Sequence, residues 1–317
     1  MELWEIELKL ESAYMTPWHA DVMFGHLAWA YREQYGEEEL KRWLHDFREG
    51  TPPFIISDGY VKHGFPRPFL PPPKKRAESK QAIIQQIKQG KKMKQRSLIH
   101  EDDFKRFLAG KDMTFSREIE GSIESSIDVH NVINRATGSS LDSDGLYELE
   151  SFHLKNTDRL SVFIRVRDKE ALEDVEHLFQ TVSLTGYGKK KNIGFGQFQV
   201  DNVVPRHDLD NMKEEADAVV WLNHAVPKAD DPVKGWYKLD TKYGKVAGTI
   251  HGNESPFKRP LTRILPGAVF KTRCTNSYYG KMVTHIYPYH SSVMQYGYAL
   301  ALPVRLPEYL RDNAAVS

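Results

Sequence analysis

The stretch from residue 159 to 204 does most to restrict what this chain can fold into. Leu160, Val162, Ile164 and Val166 alternate with other residues, which predicts a strand over 159–166 with those four side chains on one face. Asp168 then stands at the N-cap position of a helix whose apolar stripe is Leu172, Val175, Leu178, Phe179 and Val182. A glycine-rich loop follows, and 195–204 reads as a strand again. Strand, helix, loop and strand in so short a span make a unit that covers one sheet face with a helix.

The chain before it supplies the other half of such a unit. The first ten residues alternate as a half-buried strand does. Asp21 is expected to cap a helix through about Tyr35 that buries Val22, Leu27, Ala30 and Tyr31, with Gly36 closing it. Leu40, Trp43, Leu44 and Phe47 predict a second helix, stopped by Gly50 and Pro52-Pro53, and 54–57 a short buried strand. Residues 60–78 are rich in proline and basic residues and read as irregular surface. Ile83, Ile84 and Ile87 suggest a helix interrupted near Gly90; Phe104, Phe107 and Leu108 suggest another short one. From 121 to 154 the sequence alternates around a turn-rich centre at 136–145, the pattern of a long β-hairpin.

The expected architecture is therefore α+β. Residues 1–205 form a ferredoxin-like (RRM-like) domain, with the hairpin inserted at about 121–154 and a glycine-rich loop at 185–198. Polar composition at 205–211 marks a linker. The remainder, 206–317, is expected to be a second, smaller and β-rich domain, a degenerate copy of the first, with strands at 218–225, 235–239, 262–265, 268–271, 283–287 and 296–304. A chain of 317 residues suits two domains of ordinary size.

Met1 leads straight into the first strand, so no signal peptide is expected, and no apolar run reaches bilayer length. A cytoplasmic protein without a membrane partner is the reading. The lone Cys274 excludes an intramolecular disulfide and a cysteine-cluster metal site. Net charge is +1, so any attraction for nucleic acid must be local. Lys74, Lys75, Arg76, Lys80, Lys88, Lys91, Lys92, Lys94 and Arg96 form one basic island opposed only by Glu78; Lys189-Lys190-Lys191, set among glycines, form a second.

That second island lies in Thr185-Gly186-Tyr187-Gly188-Lys189-Lys190-Lys191-Asn192-Ile193-Gly194-Phe195-Gly196-Gln197-Phe198. Glycine lets a backbone approach a phosphate closely, lysines supply charge, and Tyr187 offers a ring on which a base can stack. It is no nucleotide-binding P-loop: GxxxxGK[ST] is missing, and the order is helix to strand. The plain reading is a tight helix-to-strand connection with a solvated lysine tip.

A glycine-rich loop of this form, after a helix and before a strand, resembles that of the RAMP superfamily of CRISPR proteins. Three further segments are similar to one branch of it: Asp21-Val22-Met23-Phe24-Gly25-His26-Leu27-Ala28-Trp29-Ala30; Pro52-Pro53-Phe54-Ile55-Ile56-Ser57-Asp58-Gly59 with Pro66-Arg67-Pro68; and Asn131-Val132-Ile133-Asn134-Arg135-Ala136-Thr137-Gly138 leading to Leu146-Tyr147-Glu148. Together they resemble the subunit-four, Cas-five-type group of type III-A Csm complexes. The second part of the chain resembles it more weakly, through 264–270 and 296–299.

The resemblance implies two RRM-like domains, binding of the repeat-derived 5′ tag of CRISPR RNA, and docking on the large Cas-ten-type subunit beside the backbone RAMP subunit. It also implies a hairpin thumb beside the first guide–target base pairs of the target RNA duplex. The RNA-binding set expected on these grounds is His19, Asn131, Arg135, Tyr187, Lys189, Lys190, Lys191 and Asn192. Val132, Ile133, Leu141 and Leu146, with Val129, are the expected wedge of the thumb, and Arg135 its phosphate contact. Asn134 stands where the group commonly has an acidic residue, and Lys189-Lys190-Lys191-Asn192 replaces a mixed tip.

Catalysis is not expected. Related RAMP proteins cut RNA without metal through histidine general acid–base chemistry, and His19, among thirteen histidines, lies where such a group would face RNA. A metal-independent RAMP endoribonuclease is thus the alternative, and a protein-binding scaffold a third class. HExxH, paired-histidine metal spacing and GxSxG are missing, so no cofactor or metal is expected; nothing in the sequence orients His130 or His153. Asp21 and Asp58 read as helix and turn caps.

Overall fold

The computed structural model describes residues 1–71, 96–111, 117–133, 135, 145–246, 254–273 and 275–311. Strand β1 (Glu2–Leu10) leads to helices α1 (Ala20–Tyr35) and α2 (Glu37–Glu49) and then strand β2 (Phe54–Val61). Later come β7 (Arg159–Val166), α4 (Lys169–Thr185) and β8 (Phe198–Pro205). These four strands make one antiparallel sheet ordered β2–β7–β1–β8, the βαββαβ chain order of a ferredoxin-like unit. The register runs from Glu2 opposite Val166 to Lys9 opposite Arg159, so Ile6 and Leu8 share a face with Val162 and Leu160. Helices α1 and α4 pack against each other and on this sheet. Asp168 caps α4 as expected, its Oδ1 accepting from Ala171 N–H at 2.9 Å.

The cap of α1 differs from expectation. His19 occupies the N-cap with an extended backbone, and its side chain caps nothing. Asp21 lies inside the first turn and is buried. The orphan N–H of Ala20 is instead satisfied by Asp58 Oδ1, 2.7 Å away across the fold on β2. Strand β2 runs four residues past the expected 54–57, because a register shift between Ile56 and Gly59 lets it keep pairing with β7.

The insertion between β2 and β7 begins with a small antiparallel pair, β3 (Gly64–Pro66) with β4 (Leu98–His100), followed by helix α3 (Glu101–Leu108). Part of the stretch expected to be irregular is thus a strand. Phe65 stacks on Phe104 (4.4 Å between centroids) and on Phe163 of β7 (4.9 Å), which covers the second face of β7. The expected helix at Ile83, Ile84 and Ile87 lies outside the described residues, as do all but Arg96 of the first basic island and Cys274. The long hairpin is present as β5 (Ser122–Asn131) and β6 (Leu146–Lys155).

Beyond Pro205 the described chain is mostly strand. Strands β9 (Ala218–Trp221), β10 (Gly235–Trp236), β13 (Val269–Lys271), β14 (Tyr278–Gly280) and β15 (Tyr298–Val304) form a sheet ordered β10–β13–β9–β15–β14. A separate arm pairs β11 (Leu239–Lys242) with β12 (Leu261–Ile264). No helix separates β9 from β15 among the described residues; a four-residue helix, α5 (Glu308–Arg311), follows β15. The expected strand at 283–287 shrinks to a bridge between Val283 and Gln295, and β14 was not expected at all.

Strands β9 and β15 of this second sheet are buried on two faces. Val219 and Trp221 point into a small cluster with Phe270, Tyr279 and Ala301. Val220, Leu222, Leu300 and Leu302 point the other way, into the same core as Ile56, Ile164 and Phe24 of the first sheet. Polar ties cross that seam. Arg165, 1% exposed, reaches from β7 to donate to Ala301 O on β15 (2.9 Å) and to both oxygens of Asp210 (2.6 and 3.0 Å). Tyr60 donates its hydroxyl to Leu222 O, and Ile56 N–H donates to Tyr296 Oη at 3.0 Å.

Candidate nucleic-acid interface

The hairpin is anchored at its root and bare toward its tip. Tyr14 and Phe152 exchange backbone hydrogen bonds (2.9 and 2.7 Å), and their rings stack at 5.7 Å. Pairing then runs in register from Ser122 opposite Lys155 to Asn131 opposite Leu146, as a two-stranded sheet joined to no other. Residues 123, 125, 127, 129 and 131 share one face with their partners 154, 152, 150, 148 and 146. On it Ile127, Val129 and Leu146 are each more than 60% exposed, as is Ile133 just beyond. A lone two-stranded ribbon gains little stability in water, so apolar residues held out there contribute nothing to this chain's core. Burying each against a partner is worth roughly 1.5–3 kcal/mol.

Asn131 and Arg135 are exposed at this tip, and Val132 is 44% exposed. Leu141 and Asn134 lie outside the described residues. The ribbon also carries Glu124, Asp128, Glu148 and Glu150, a charge pattern that repels phosphate and suits apolar contact with bases or protein instead. His130 stacks on Tyr147 at 5.6 Å, and His153 sits 3.8 Å from Glu124.

The glycine loop is a separate surface, tied down from beneath. Tyr187 N–H donates to Gly196 O (2.8 Å), Gly196 N–H to Ala13 O (2.8 Å), Gly188 N–H to His26 Nε2 (3.1 Å) and Lys189 N–H to Thr16 Oγ1 (3.1 Å). Gly196 has φ of +69°, and a β-carbon there would sit 2.0 Å from Tyr187 O, so only glycine fits. Tyr187 does not present its ring to a base. It is 1% exposed, stacked on Trp18, with its hydroxyl donating to Pro17 O at 2.7 Å. Burial accounts for this: an aromatic ring packed against Trp18 and His26 removes more apolar area from water there than on the loop surface.

What this anchoring leaves outside is charge. Lys189, Lys190 and Asn192 are exposed and Lys191 half-buried; among the described residues none of the three lysines has a carboxylate partner. Lys190 adopts a left-handed backbone (φ +60°), which turns the chain into the 3-10 turn at Lys191–Ile193. Burial, and secondarily the Lys191 charge, push His26 down to about 4, so it stays neutral and able to accept the Gly188 N–H.

His19 is elsewhere again, at the seam of the two sheets. Its imidazole lies 4.3 Å from that of His224, centroid to centroid, and both face buried Asp58. His224 Nδ1 is 2.6 Å from Asp58 Oδ2. Burial pushes Asp58 up, but His224, His19 and the Ala20 N–H outweigh it and hold the carboxyl at about 2. Burial likewise pushes His19 down, against the pull of Asp58. Behind them Asp21 accepts from Lys242 (2.6 Å), Gln295 (2.8 Å) and Arg263 (3.3 Å), and Arg263 makes a bidentate pair with Asp240. Asp21 thus ties α1 to the β11–β12 arm and to Gln295 instead of capping a helix. His224, Asp240 and Arg263 were missed in the sequence because their partners are some 20 to 240 positions away.

An open groove of about 450 Å³ lies at the hairpin root, between His63, Glu101, Asp102 and Arg117. Its lining mixes Lys62 and Arg117 with Glu101, Asp102 and Glu120; Arg117 pairs with Asp102 at 2.5 Å, and His63 lies 3.0 Å from Glu101.

No protein-family profile and no curated protein matches the chain. Solved structures do. A chain of the Csm1–Csm4 cassette in complex with AMPPNP superposes with a TM-score of 0.60 at 16% identity, over 97% of this chain and 100% of that one. The same cassette with pppApA gives 0.61 at 15% identity, again over 97% and 100%. The Csm3–Csm4 subcomplex of a type III-A CRISPR–Cas interference complex gives 0.54 at 17%, over 96% and 99%. Csm4 is the subunit common to all three. This chain shares that fold. The Csm4-like fold is therefore an α+β one here, with the exposed hairpin and the lysine loop both carried by the first sheet. No helix among the described residues is long and apolar enough to cross a membrane.

Proposed function

We propose that this chain is the non-catalytic subunit of a type III CRISPR effector complex that caps the 5′ repeat-derived tag of CRISPR RNA. In this reading residues 1–205 form the RNA-facing domain and 206–317 a smaller second domain. Lys189, Lys190, Lys191 and Asn192 hold tag phosphates, and the hairpin tip with Val129, Val132, Ile133 and Leu146 wedges beside the first guide–target base pairs. Asn131 and Arg135 flank that wedge. The large Cas-ten-type subunit and the backbone RAMP subunit are the protein partners. The shared Csm4-like fold supports the reading.

One observation carries it: a hairpin whose apolar residues stand in water toward its tip, with no packing role among the described residues. Such a device has a purpose only where a partner covers it. The loop adds three lysines that have no carboxylate partner among the described residues, on a backbone held by four hydrogen bonds. Each phosphate neutralised adds about −0.7 to the salt slope of single-strand binding. Tyr187 contributes by fixing the loop, not by stacking.

The test is RNA binding by the chain, with and without its large partner, across a salt series. RNA bearing the tag is compared with a scrambled control, in EDTA. Preference for the tag, lost when Lys189–Lys191 become glutamate, with the RNA intact, is the expected result. Intact RNA with no tag preference in the partner's presence supports a scaffold instead. Specific cleavage dependent on His19 supports the endoribonuclease.

A further inference from the structure

His19, Asp58 and His224 come from the N-cap of α1, the middle of β2 and the turn after β9, and the fold brings them to one point. One ligand atom from each lies within 4.8 Å of the others. Asp58 is 4% exposed and the His224 side chain 12%, and His19 keeps a partial exposure at the start of α1, so the point is reached from solvent past the histidines. We propose that these three residues form a binding site for a borderline divalent transition metal of the zinc class, joining the two sheets.

The donor set is the first argument. Two imidazoles and one carboxylate, with a fourth position open to water, is a ligand set that zinc and its neighbours accept. The second is that hydrogen bonding explains only half of the cluster. The Asp58–His224 pair is satisfied on its own, but the His19 imidazole makes no hydrogen bond among the described residues, although it is largely buried beside a carboxylate. Its ring nitrogens are not among the atoms sealed from solvent without a partner, so water or an ion can reach them beside the carboxylate.

The third argument is the outer shell. Asp58 Oδ1 is fixed by the Ala20 N–H at 2.7 Å, while Oδ2 takes the His224 backbone N–H at 3.3 Å and faces His224 Nδ1 at 2.6 Å, the contact that an ion would open and bridge. His224 turns Nδ1 toward Asp58 and Nε2 toward Asp240 Oδ2, 3.9 Å away, and Asp240 is itself held by Arg263. A histidine that binds metal through one nitrogen and faces a carboxylate with the other is the usual way its tautomer and orientation are set. Seating an ion requires the 2.6 Å separation of Nδ1 and Oδ2 to open to roughly 3.3 Å, the ligand spacing of a tetrahedral site. A small side-chain rotation provides that.

The test uses the full, untagged chain, stripped with chelator and free of RNA, so its outcome is independent of the RNA-binding role. Zn²⁺ is titrated calorimetrically, and Co²⁺ is added for its visible absorption, whose intensity reports coordination number. Stoichiometric Zn²⁺ uptake is expected, with a rise in melting temperature and an intense four-coordinate Co²⁺ band. His19→Ala, at a partly exposed position, should fold and lose all three; His224→Ala should do the same. Asp240→Asn should weaken Zn²⁺ roughly tenfold or more through His224 while leaving the stoichiometry intact. No uptake by the unsubstituted chain, or uptake unchanged in folded His19→Ala, overturns the proposal.

Discussion

The rings of Trp18 and Tyr187 stack with centroids 3.9 Å apart and planes 13° from parallel. That contact fastens the glycine loop to the segment that leads into α1, and so sets where the three lysines stand. Tyr187→Phe keeps the stack and loses only the bond to Pro17 O, so a cost of about 1 kcal/mol is expected. Tyr187→Ala removes the stack as well and should cost about 3–5 kcal/mol. Urea unfolding reads both. RNA affinity of the folded Tyr187→Phe variant should equal that of the unsubstituted chain; a marked loss would return a base-stacking role to this residue.

His26 makes the loop sensitive to acid. Its folded value of about 4 lies below the ordinary 6.5, so between these pH values the unfolded chain binds the extra proton. Stability from this group is therefore fully present above pH 6.5 and drains away as pH falls toward 4, by about 3 kcal/mol. His26→Gln retains an acceptor for Gly188 N–H and carries no charge. The difference in unfolding free energy between the two proteins should therefore change across that window. A constant difference would mean that His26 titrates normally.

The hairpin should separate stability from function. Ile127→Ser and Leu146→Ser act on side chains in water, so unfolding should move by no more than about 0.5 kcal/mol. Phe152→Ala at the root, which loses the stack on Tyr14, should cost about 2 kcal/mol or more. The tip variants should nonetheless impair assembly or target-RNA engagement in the complete complex. Normal behaviour there would remove the hairpin from the proposed interface.

Arg165, 1% exposed, is a charge almost wholly withdrawn from water, and Asp210 is its partner. Asp210→Ala leaves the guanidinium buried with only Ala301 O to satisfy it, and should cost about 3–5 kcal/mol. Arg165→Met with Asp210→Ala should recover much of that loss, since no uncompensated charge remains. Chemical denaturation of the single and double variants tests the pair.

Much of the first sheet was legible because its signals are local. Alternation in β1, β5, β6 and β7, the Asp168 cap and the glycine stops at Gly36 and Gly50 depend on neighbours a few residues away. The second sheet was less so: strands buried on both faces, such as β9 and β15, give apolar runs without period, and β14 has three residues only. The loop was found in sequence, but the side of it that Tyr187 occupies was not. A tyrosine between two glycines reads equally as surface or as core, and the decision rests with Trp18, distant in the chain.

The sequence by itself determined the order of strands and helices in the first sheet, the hairpin, and a lysine-bearing glycine loop between α4 and β8, since periodicity, caps and turn residues act over a few positions. Only the tertiary structure decided that the hairpin's apolar tip is left in water, that Asp21 and Asp58 bind across a seam rather than cap locally, and that His19 meets His224. Those outcomes depend on which buried polar groups the packing of two sheets brings within hydrogen-bonding distance, and a partner some two hundred residues away leaves no trace in local sequence.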